Sequence, residues 1–246
     1  MTAVLYAIPA SHQCALVERA LQLKQVDYRR VELIPVLHRP VMRLRFHASS
    51  VPALAFADGE RVSGSRRIVR TLEERVPSPP LLPADGDARR DVERAEEWGD
   101  QVLEPVARRV VWAAIRRDPA TTMGYSDGAK LPVPRWFARV NTPVVSWLAA
   151  RVNGAGDLAV RADLVSLPSH LDRVDGWIAR GVLGGEAVNA ADLQIAASLR
   201  LLLTVGDVAP LIDARPAGAL ARRVFASYPG GVDVGVLPAG WVPVAG

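Results

Sequence analysis

A hydroxyl and a thiol lie one helical turn apart near the start of the chain, in Ser11-His12-Gln13-Cys14. Ser11 precedes an amphipathic pattern, so it is placed to open a helix. The start of a helix stabilises anions, because its first N–H groups lack partners in the helix and its dipole is positive there. A bound thiol, whose unperturbed pKa is about 8.5, would ionise more easily at such a place. Ser11 could donate a hydrogen bond to the thiolate, or it could only cap its own helix.

Other cysteine and histidine chemistry is limited. Ser11 takes the first position of what would be a Cys-x-x-Cys motif, so dithiol exchange lacks its attacking thiol. We predict that Cys14, the only cysteine, lies in the core. The histidines show no metal-ligand spacing with one another or with carboxylates, so we predict surface or capping roles for them and no metal site. They are His12, His38, His47 and His170.

The first part of the chain alternates strand and helix patterns that would position Ser11. Apolar runs predict strands over 3–8, 27–33, 51–56 and 61–63, and helical spacing predicts helices over 11–24, 39–46 and 65–75. Asp58-Gly59 is a strong hairpin turn between the last two strands. This β-α-β-α-β-β-α order predicts a small mixed sheet covered by helices.

The chain changes character over residues 76–88, where proline and turn residues interrupt both periodicities. Beyond this stretch the pattern predicts helices over 87–116, 132–152, 167–180, 189–205 and 216–226. Pro105 and Pro143 should bend or split the first two, because proline has no N–H to donate. We therefore predict an α/β domain over 1–78, an all-α domain over 86–228 and an irregular tail over 229–246.

Composition excludes several classes of protein. Hydrophobic residues make up 50% of the chain and charged residues 23%, as in globular proteins, and a single cysteine excludes a disulfide scaffold. The arginine doublets are scattered and several have acidic neighbours, which argues against a nucleic-acid surface. No apolar run approaches the roughly 20 residues of a transmembrane helix. We expect a soluble, cytoplasmic protein with no membrane or nucleic-acid partner.

Four segments resemble the cytosolic glutathione transferase superfamily, and its serine-type classes in particular. They are Leu5-Tyr6 with Ser11-His12-Gln13-Cys14, Val51-Pro52-Ala53-Leu54, Asp58-Gly59 with Ser63-Gly64-Ser65-Arg66-Arg67-Ile68, and Leu183-Gly184-Gly185-Glu186 with Asn189-Ala190-Ala191-Asp192. They occur in the order and spacing of that family, and the resemblance covers roughly residues 3–228. The resemblance implies a thioredoxin-like N-terminal domain followed by an all-helical C-terminal domain.

The resemblance also assigns roles to residues of the first domain. Ser11 would be the catalytic serine that stabilises a bound thiolate. Val51, before a cis Pro52, would pair through its backbone with an extended thiol peptide, and Ser65 would hold a carboxylate at a helix start. An ordinary strand entry and an ordinary N-cap are the alternatives for these two segments. Gly64 departs from the family, which has an acidic or amide side chain at that position.

The helical part contains two further candidate residues. Asp192 should form a capping box with Asn189 rather than take part in catalysis. Trp112, on the long helix beyond Pro105, could line the pocket of a second substrate, or it could belong to the core.

The function that these residues favour is thiol transfer. The protein would bind a low-molecular-weight thiol as co-substrate, glutathione or another such as mycothiol, stabilise its thiolate and deliver it to an electrophilic small molecule in an apolar pocket. No metal is needed. One alternative is a non-catalytic binding or scaffold protein that has kept the fold. Another is a thiol-dependent isomerase or dehalogenase.

The resemblance further implies a homodimer. Arginines on the third helix and glutamates on the fourth could face one another across a two-fold axis, although pairing within one chain is equally natural. These residues are Arg66, Arg67, Arg70, Glu93, Glu96 and Glu97.

The choice of thiol depends on the position of Gly64. The free ammonium of glutathione needs an acidic or amide partner, and Arg66 and Arg67 would repel it. We therefore predict weak binding of glutathione, with a Kd that is roughly millimolar, and better binding of a thiol without a free α-amino group.

Overall fold

The computed structural model describes residues 2–35, 37–129 and 135–243. Its N-terminal part is a four-stranded mixed sheet in the order β2-β1-β3-β4. The strands are β1 (Ala3–Ala7), β2 (Tyr28–Glu32), β3 (Ala53–Ala55) and β4 (Arg61–Ser63), and the helices are α1 (His12–Leu23), α2 (His38–Phe46) and α3 (Ser65–Arg75). Strands β1 and β2 are parallel, whereas β3 is antiparallel to both β1 and β4. The predicted βαβαββα order of a thioredoxin-like domain is confirmed.

The remaining regular elements of the described chain are helical, apart from one isolated bridge between Val205 and Val232. The helices are α4 (Gly86–Trp98), α5 (Glu104–Arg117), α6 (Thr122–Tyr125), α7 (Arg135–Val152), α8 (Asp157–Ala179), α9 (Ala190–Leu202), α10 (Ala209–Asp213) and α11 (Pro216–Val224). A single 3₁₀ turn, Pro119–Thr121, links α5 to α6. This agrees with the all-helical C-terminal domain expected from the sequence.

The expected interruption before Pro105 takes a specific form. A π-helical turn, Gly99–Leu103, joins α4 to α5, and the backbone N–H of Glu104 donates to the carbonyl of Gly99, five residues earlier. Because Pro105 has no N–H, the four-residue ladder cannot continue through it, and the wider turn absorbs the mismatch. Glu104 is thereby placed at the first position of α5.

One helix prediction needs correction, and two short helices were missed. Helix α8 begins at Asp157, ten residues before the predicted start at 167, and it contains Pro168 in its interior. The buried residues Val160 and Leu164 extend its apolar stripe towards the N-terminus, and this stripe outweighs the preference of proline for a first turn. The predicted start of α7 at 132 lies outside the described residues. The short helices α6 and α10 were not predicted.

Helix α9 is the centre of the molecule. It is buried along nearly its whole length and packs against α1 of the first domain and against α4, α5 and α11 of the second. One continuous cluster of buried apolar side chains therefore joins the sheet to the helical part. This packing holds the N-terminus of α1 against α5.

The surface of α7 is unusually apolar. Trp136, Val140, Val144 and Trp147 are each more than half exposed, at spacings that put them on one face of the helix. None of the helices in the described part of the chain is both long and apolar enough to span a bilayer.

Candidate functional site

A cleft of about 400 Å³ runs between the start of α1 and the helices of the second domain. Ser11 and Val51 line it from the first domain, and Trp112 lines it from α5. Further lining residues used below are His12, Gln13, His38, Arg39, Glu104, Arg108 and Ile115. The tertiary structure thus brings three of the sequence-predicted site residues to one cavity. Pro52, Gly64 and Ser65 are not among its described lining residues.

Ser11 is the N-cap of α1. Its Oγ accepts a hydrogen bond from the backbone N–H of Cys14 at 3.3 Å. This bond uses a lone pair of the oxygen, and the rotatable hydroxyl can still donate, either to the nearby thiol of Cys14 or to a ligand in the cleft. Capping and donation to a ligand are therefore compatible in one side chain. Cys14 itself lies in the core, as predicted, and burial raises the pKa of its thiol to about 11.

The Val51–Pro52 peptide bond is cis. Pro52 is buried at the start of β3, and its carbonyl accepts a hydrogen bond from the N–H of Gly64 at 2.9 Å. This bond links Gly64, the residue before α3, to Pro52, the residue after Val51. Val51 is left at the edge of the cleft, where its backbone can face a ligand.

Ser65 does not present a free hydroxyl. Its Oγ donates to Oε1 of Gln13 at 2.6 Å, and the side chain is nearly buried. What remains open at the start of α3 are backbone N–H groups, since the first intrahelical bond there runs from Ile68 to Gly64. Gly64 has φ +90°, and a Cβ there would meet no atom within 4 Å. The position therefore has room for a ligand group.

His12 was expected at the surface or in a capping role, and that expectation is wrong. Its side chain is buried in the wall of the cleft, with Nε2 3.5 Å from Oε1 of Glu104. Burial, reinforced by the nearby charge of Arg108, lowers the pKa of His12 to about 3. The imidazole is consequently neutral at neutral pH. The distance to Glu104 is too long for a good hydrogen bond.

Glu104 and Arg108 were missed by the sequence reading. Glu104 is buried, and its Oε1 lies 3.0 Å from Nη1 of Arg108 one turn later. Burial raises the pKa of Glu104, and the charge of Arg108 opposes that rise. The spacing of four residues was visible in the sequence as a helical ion pair, but such pairs usually lie on solvated faces. Nothing in the sequence placed this one opposite His12.

The remaining histidines have ordinary roles. His38 lies at the cleft with its pKa lowered by burial, His47 ends α2 at the surface, and His170 packs edge-to-face on Trp98. Within the described residues, no group of three or more His, Cys, Asp or Glu side chains could hold a metal ion.

Three of the six charged residues proposed for a dimer interface pair with one another within the chain. Glu96 is buried and receives ion pairs from Arg66 and Arg70, and Arg66 also approaches Asp100 at 4.0 Å. These bonds tie α3 to α4 and the π turn, so Glu96 is not available to a second subunit. The Glu96 carboxylate therefore gives no support for a homodimer.

Comparison with known families agrees with this geometry. Residues 5–80 match the model of the glutathione S-transferase N-terminal domain. Residues 5–80 are therefore a domain of the glutathione S-transferase N-terminal type. The matched segment contains the cap Ser11, the cis Pro52 and the start of α3, so it holds the first-domain side of the cleft.

Solved glutathione S-transferases share the whole fold. One from Rhodospirillum rubrum F11 is 23% identical, with a TM-score of 0.58, and the match covers 92% of this chain and 93% of that one. Glutathione S-transferase III in its apo form is 22% identical, with a TM-score of 0.65 and the same coverage. A third, from Methylobacterium radiotolerans in complex with glutathione sulfonate, is 19% identical with a TM-score of 0.54, over 92% and 91% of the two chains. No curated protein sequence matches this chain.

Proposed function

We propose that this chain is a member of the glutathione S-transferase superfamily that binds a low-molecular-weight thiol, stabilises its thiolate and conjugates it to an electrophilic small molecule. The observation that carries the proposal is the position of Ser11, which caps α1 at the edge of the cleft and has a rotatable hydroxyl group there. A sulfur placed there meets both that donor and the positive end of a helix dipole.

The chemical step is a substitution or an addition by sulfur. The thiol loses its proton to solvent, and Ser11 donates a hydrogen bond to the thiolate that remains. The sulfur electron pair then forms a carbon–sulfur bond, and a leaving group departs with its own electron pair, or an activated double bond takes up the charge and then a proton from water. One such hydrogen bond contributes at most a few kcal/mol to the rate.

Binding of the thiol rests on backbone groups. The edge of Val51, beside the cis Pro52, would pair with an extended cysteinyl backbone as an added strand. The open N–H groups at the start of α3 would hold a carboxylate or hydroxyl group, while Ser65 acts through its bond to Gln13. The thiol is glutathione or another small thiol such as mycothiol, and the relative crystallised with glutathione sulfonate favours a ligand of this size.

Two variants separate the role of Ser11 as a helix cap from its role as a hydrogen-bond donor to the ligand. Ser11→Asp keeps an acceptor for the N–H of Cys14 but places a negative charge where the thiolate would lie, whereas Ser11→Asn keeps both an acceptor and a donor. We expect Ser11→Asp to lose most of kcat/KM with a raised pKa of the bound thiol, read from thiolate absorbance, and Ser11→Asn to retain more. Ser169→Ala, on the exposed side of α8, is the matched control.

Equal activity of the wild type and Ser11→Asp would remove the catalytic role from Ser11. Stabilisation by thiols without turnover of any electrophile would favour a non-catalytic binding protein on the same fold. In a thermal-shift series, a thiol at about 100 times its Kd should stabilise the folded chain by about 2.7 kcal/mol.

We also propose a homodimer, as is usual for this superfamily. Sedimentation equilibrium should give twice the 26.5 kDa of one chain at micromolar concentration. A single 26.5 kDa species would refute the dimer.

A further inference from the structure

The cleft beside Ser11 has nitrogen atoms that lack partners. Within the described residues, Gln13 Nε2, Arg108 Nε and His12 Nε2 are buried and make no hydrogen bond, and all three residues line this cleft. The first two can only donate, and the third donates in one of its tautomers. Leaving such a group unpaired is unfavourable, so several of them around one cavity indicate a ligand that brings acceptors.

The charges around the cleft also favour a ligand that brings acceptors or negative charge. Among its described lining residues, Arg39 and Arg108 carry positive charge and Glu104 carries negative charge. Glu104 engages only Nη1 of Arg108, and 42% of the Arg108 side chain stays exposed. The positive excess is strengthened by the start of α1, which opens into the same space.

A flat apolar surface adjoins this cation. Trp112 follows Arg108 by one turn of α5, so both side chains lie on the same face, and Ile115 continues the wall. The second-substrate region is thus apolar on one side and cationic on the other. The apolar pocket expected from the sequence describes only half of it.

We propose that the electrophile of this enzyme carries an anionic group, a carboxylate or a sulfonate, that binds Arg108 while its flat apolar part packs on Trp112. Glu104 positions the guanidinium by holding one of its edges. The proposal rests on the proposed function for the reaction itself, but binding of the anion to Arg108 is independent of any thiol.

The binding test uses a matched pair of ligands, meta-nitrobenzoate and the neutral meta-nitrobenzamide, titrated calorimetrically into the full chain. The wild type should bind the benzoate at least about tenfold more tightly, as expected for one charge-assisted hydrogen bond. Arg108→Met should abolish the preference. Arg94→Met, an exposed arginine of α4 paired with Asp91, should keep it. Equal affinities in the wild type, or a preference that persists in Arg108→Met, would overturn the proposal.

Two further measurements keep the test decisive. Arg108→Met leaves Glu104 without its cation and could unfold the chain. In that case the double variant Arg108→Met, Glu104→Gln removes both charges, and we expect it to lose the preference for the benzoate in the same way.

With a thiol and chloronitrobenzoate or chloronitrobenzamide as electrophiles, Arg108→Met should lower the ratio of the kcat/KM for the benzoate to that for the benzamide about tenfold. A rise in the KM of the thiol alone would place Arg108 in the thiol site and overturn the proposal. A benzoate preference without turnover of either electrophile would support the anion site while refuting the proposed function.

Discussion

The hydroxyl of Ser65 donates to the side-chain oxygen of Gln13 at 2.6 Å, which joins the first turns of α3 and α1. The start of α1 lines the cleft, so this bond fixes the distance between the cap at Ser11 and the N–H groups at the start of α3. In the proposed thiol site, Ser65 would therefore be a positioning residue rather than a direct ligand.

Removing this bond should weaken thiol binding more than the chemical step. We expect Ser65→Ala to raise the KM of the thiol about three- to tenfold, since one neutral hydrogen bond contributes roughly 1 kcal/mol, with a smaller change in kcat. Gln13→Ala should give a similar ratio. Thr71→Ala is the control, because its hydroxyl bonds only within α3. An unchanged KM in both variants would separate this bond from thiol binding.

The neutral state of His12 should make the folded chain less stable in mild acid. The folded pKa of about 3 lies below the unfolded value of 6.5, so the unfolded chain binds more protons between these pH values. Stability from this group is present above pH 6.5 and is lost as the pH falls. From pH 7 to pH 5 the wild type should lose about 2 kcal/mol more than His12→Gln, measured by urea unfolding.

The control for this experiment is His47→Gln at the exposed end of α2, which should follow the wild type. Glu104 and Arg108 face His12, and the raised pKa of Glu104 works in the opposite direction at lower pH. The comparison between the wild type and His12→Gln cancels that contribution to first order. Parallel curves for the two proteins would show that His12 does not titrate abnormally.

Cys14 should be inert in the folded protein. Its thiol is 1% exposed and its pKa is raised to about 11, so neither access nor the thiolate form favours reaction at neutral pH. We expect a negligible rate with a disulfide thiol reagent in buffer and full modification of the single cysteine in denaturant. Cys14→Ala supplies the blank. Rapid labelling of the native wild type would contradict the core assignment.

The capping box at the start of α9 should be a major local stabiliser. The carboxylate of Asp192 accepts hydrogen bonds from the N–H groups of Gly184 at 2.8 Å and Asn189 at 3.0 Å, and the Asn189 side chain accepts from the N–H of Asp192. Asp192→Ala leaves two partly buried donors unpaired and should cost about 2–4 kcal/mol in the free energy of unfolding. Exposed Glu186→Ala should cost under about 0.5 kcal/mol. Equal stability of both variants would contradict this.

The thiol preference can be measured directly. Gly64 supplies no side chain to the free ammonium of glutathione, and Arg66, which would repel it, is partly neutralised by Glu96 and Asp100. Calorimetric titration should give weak binding of glutathione, with a Kd that is roughly millimolar, and tighter binding of its N-acetylated form. Micromolar affinity for glutathione that acetylation strongly reduces would overturn this prediction.

The fold was accessible from the sequence because local signals and long-range packing agree. Short apolar runs predict β1 to β4, Ser11 and Asn189 cap the helices that they precede, and the Asp58-Gly59 turn closes the hairpin. The start of α8 was misplaced because Pro168 is tolerated inside a long, well-packed helix. Such tolerance depends on neighbours that local rules do not contain.

The sequence by itself determined the α/β and helical halves, the cap at Ser11, the cis Pro52 segment and the burial of Cys14. Only the tertiary structure showed that His12 lies against Glu104, that Ser65 donates a hydrogen bond to Gln13, and that Arg108 and Trp112 both line the cleft. The physical reason is distance along the chain. Caps, turns and amphipathic stripes are decided by residues within a few positions, whereas the polarity of the cleft arises where α1 and α5, more than eighty residues apart, are brought together by the packing of α9.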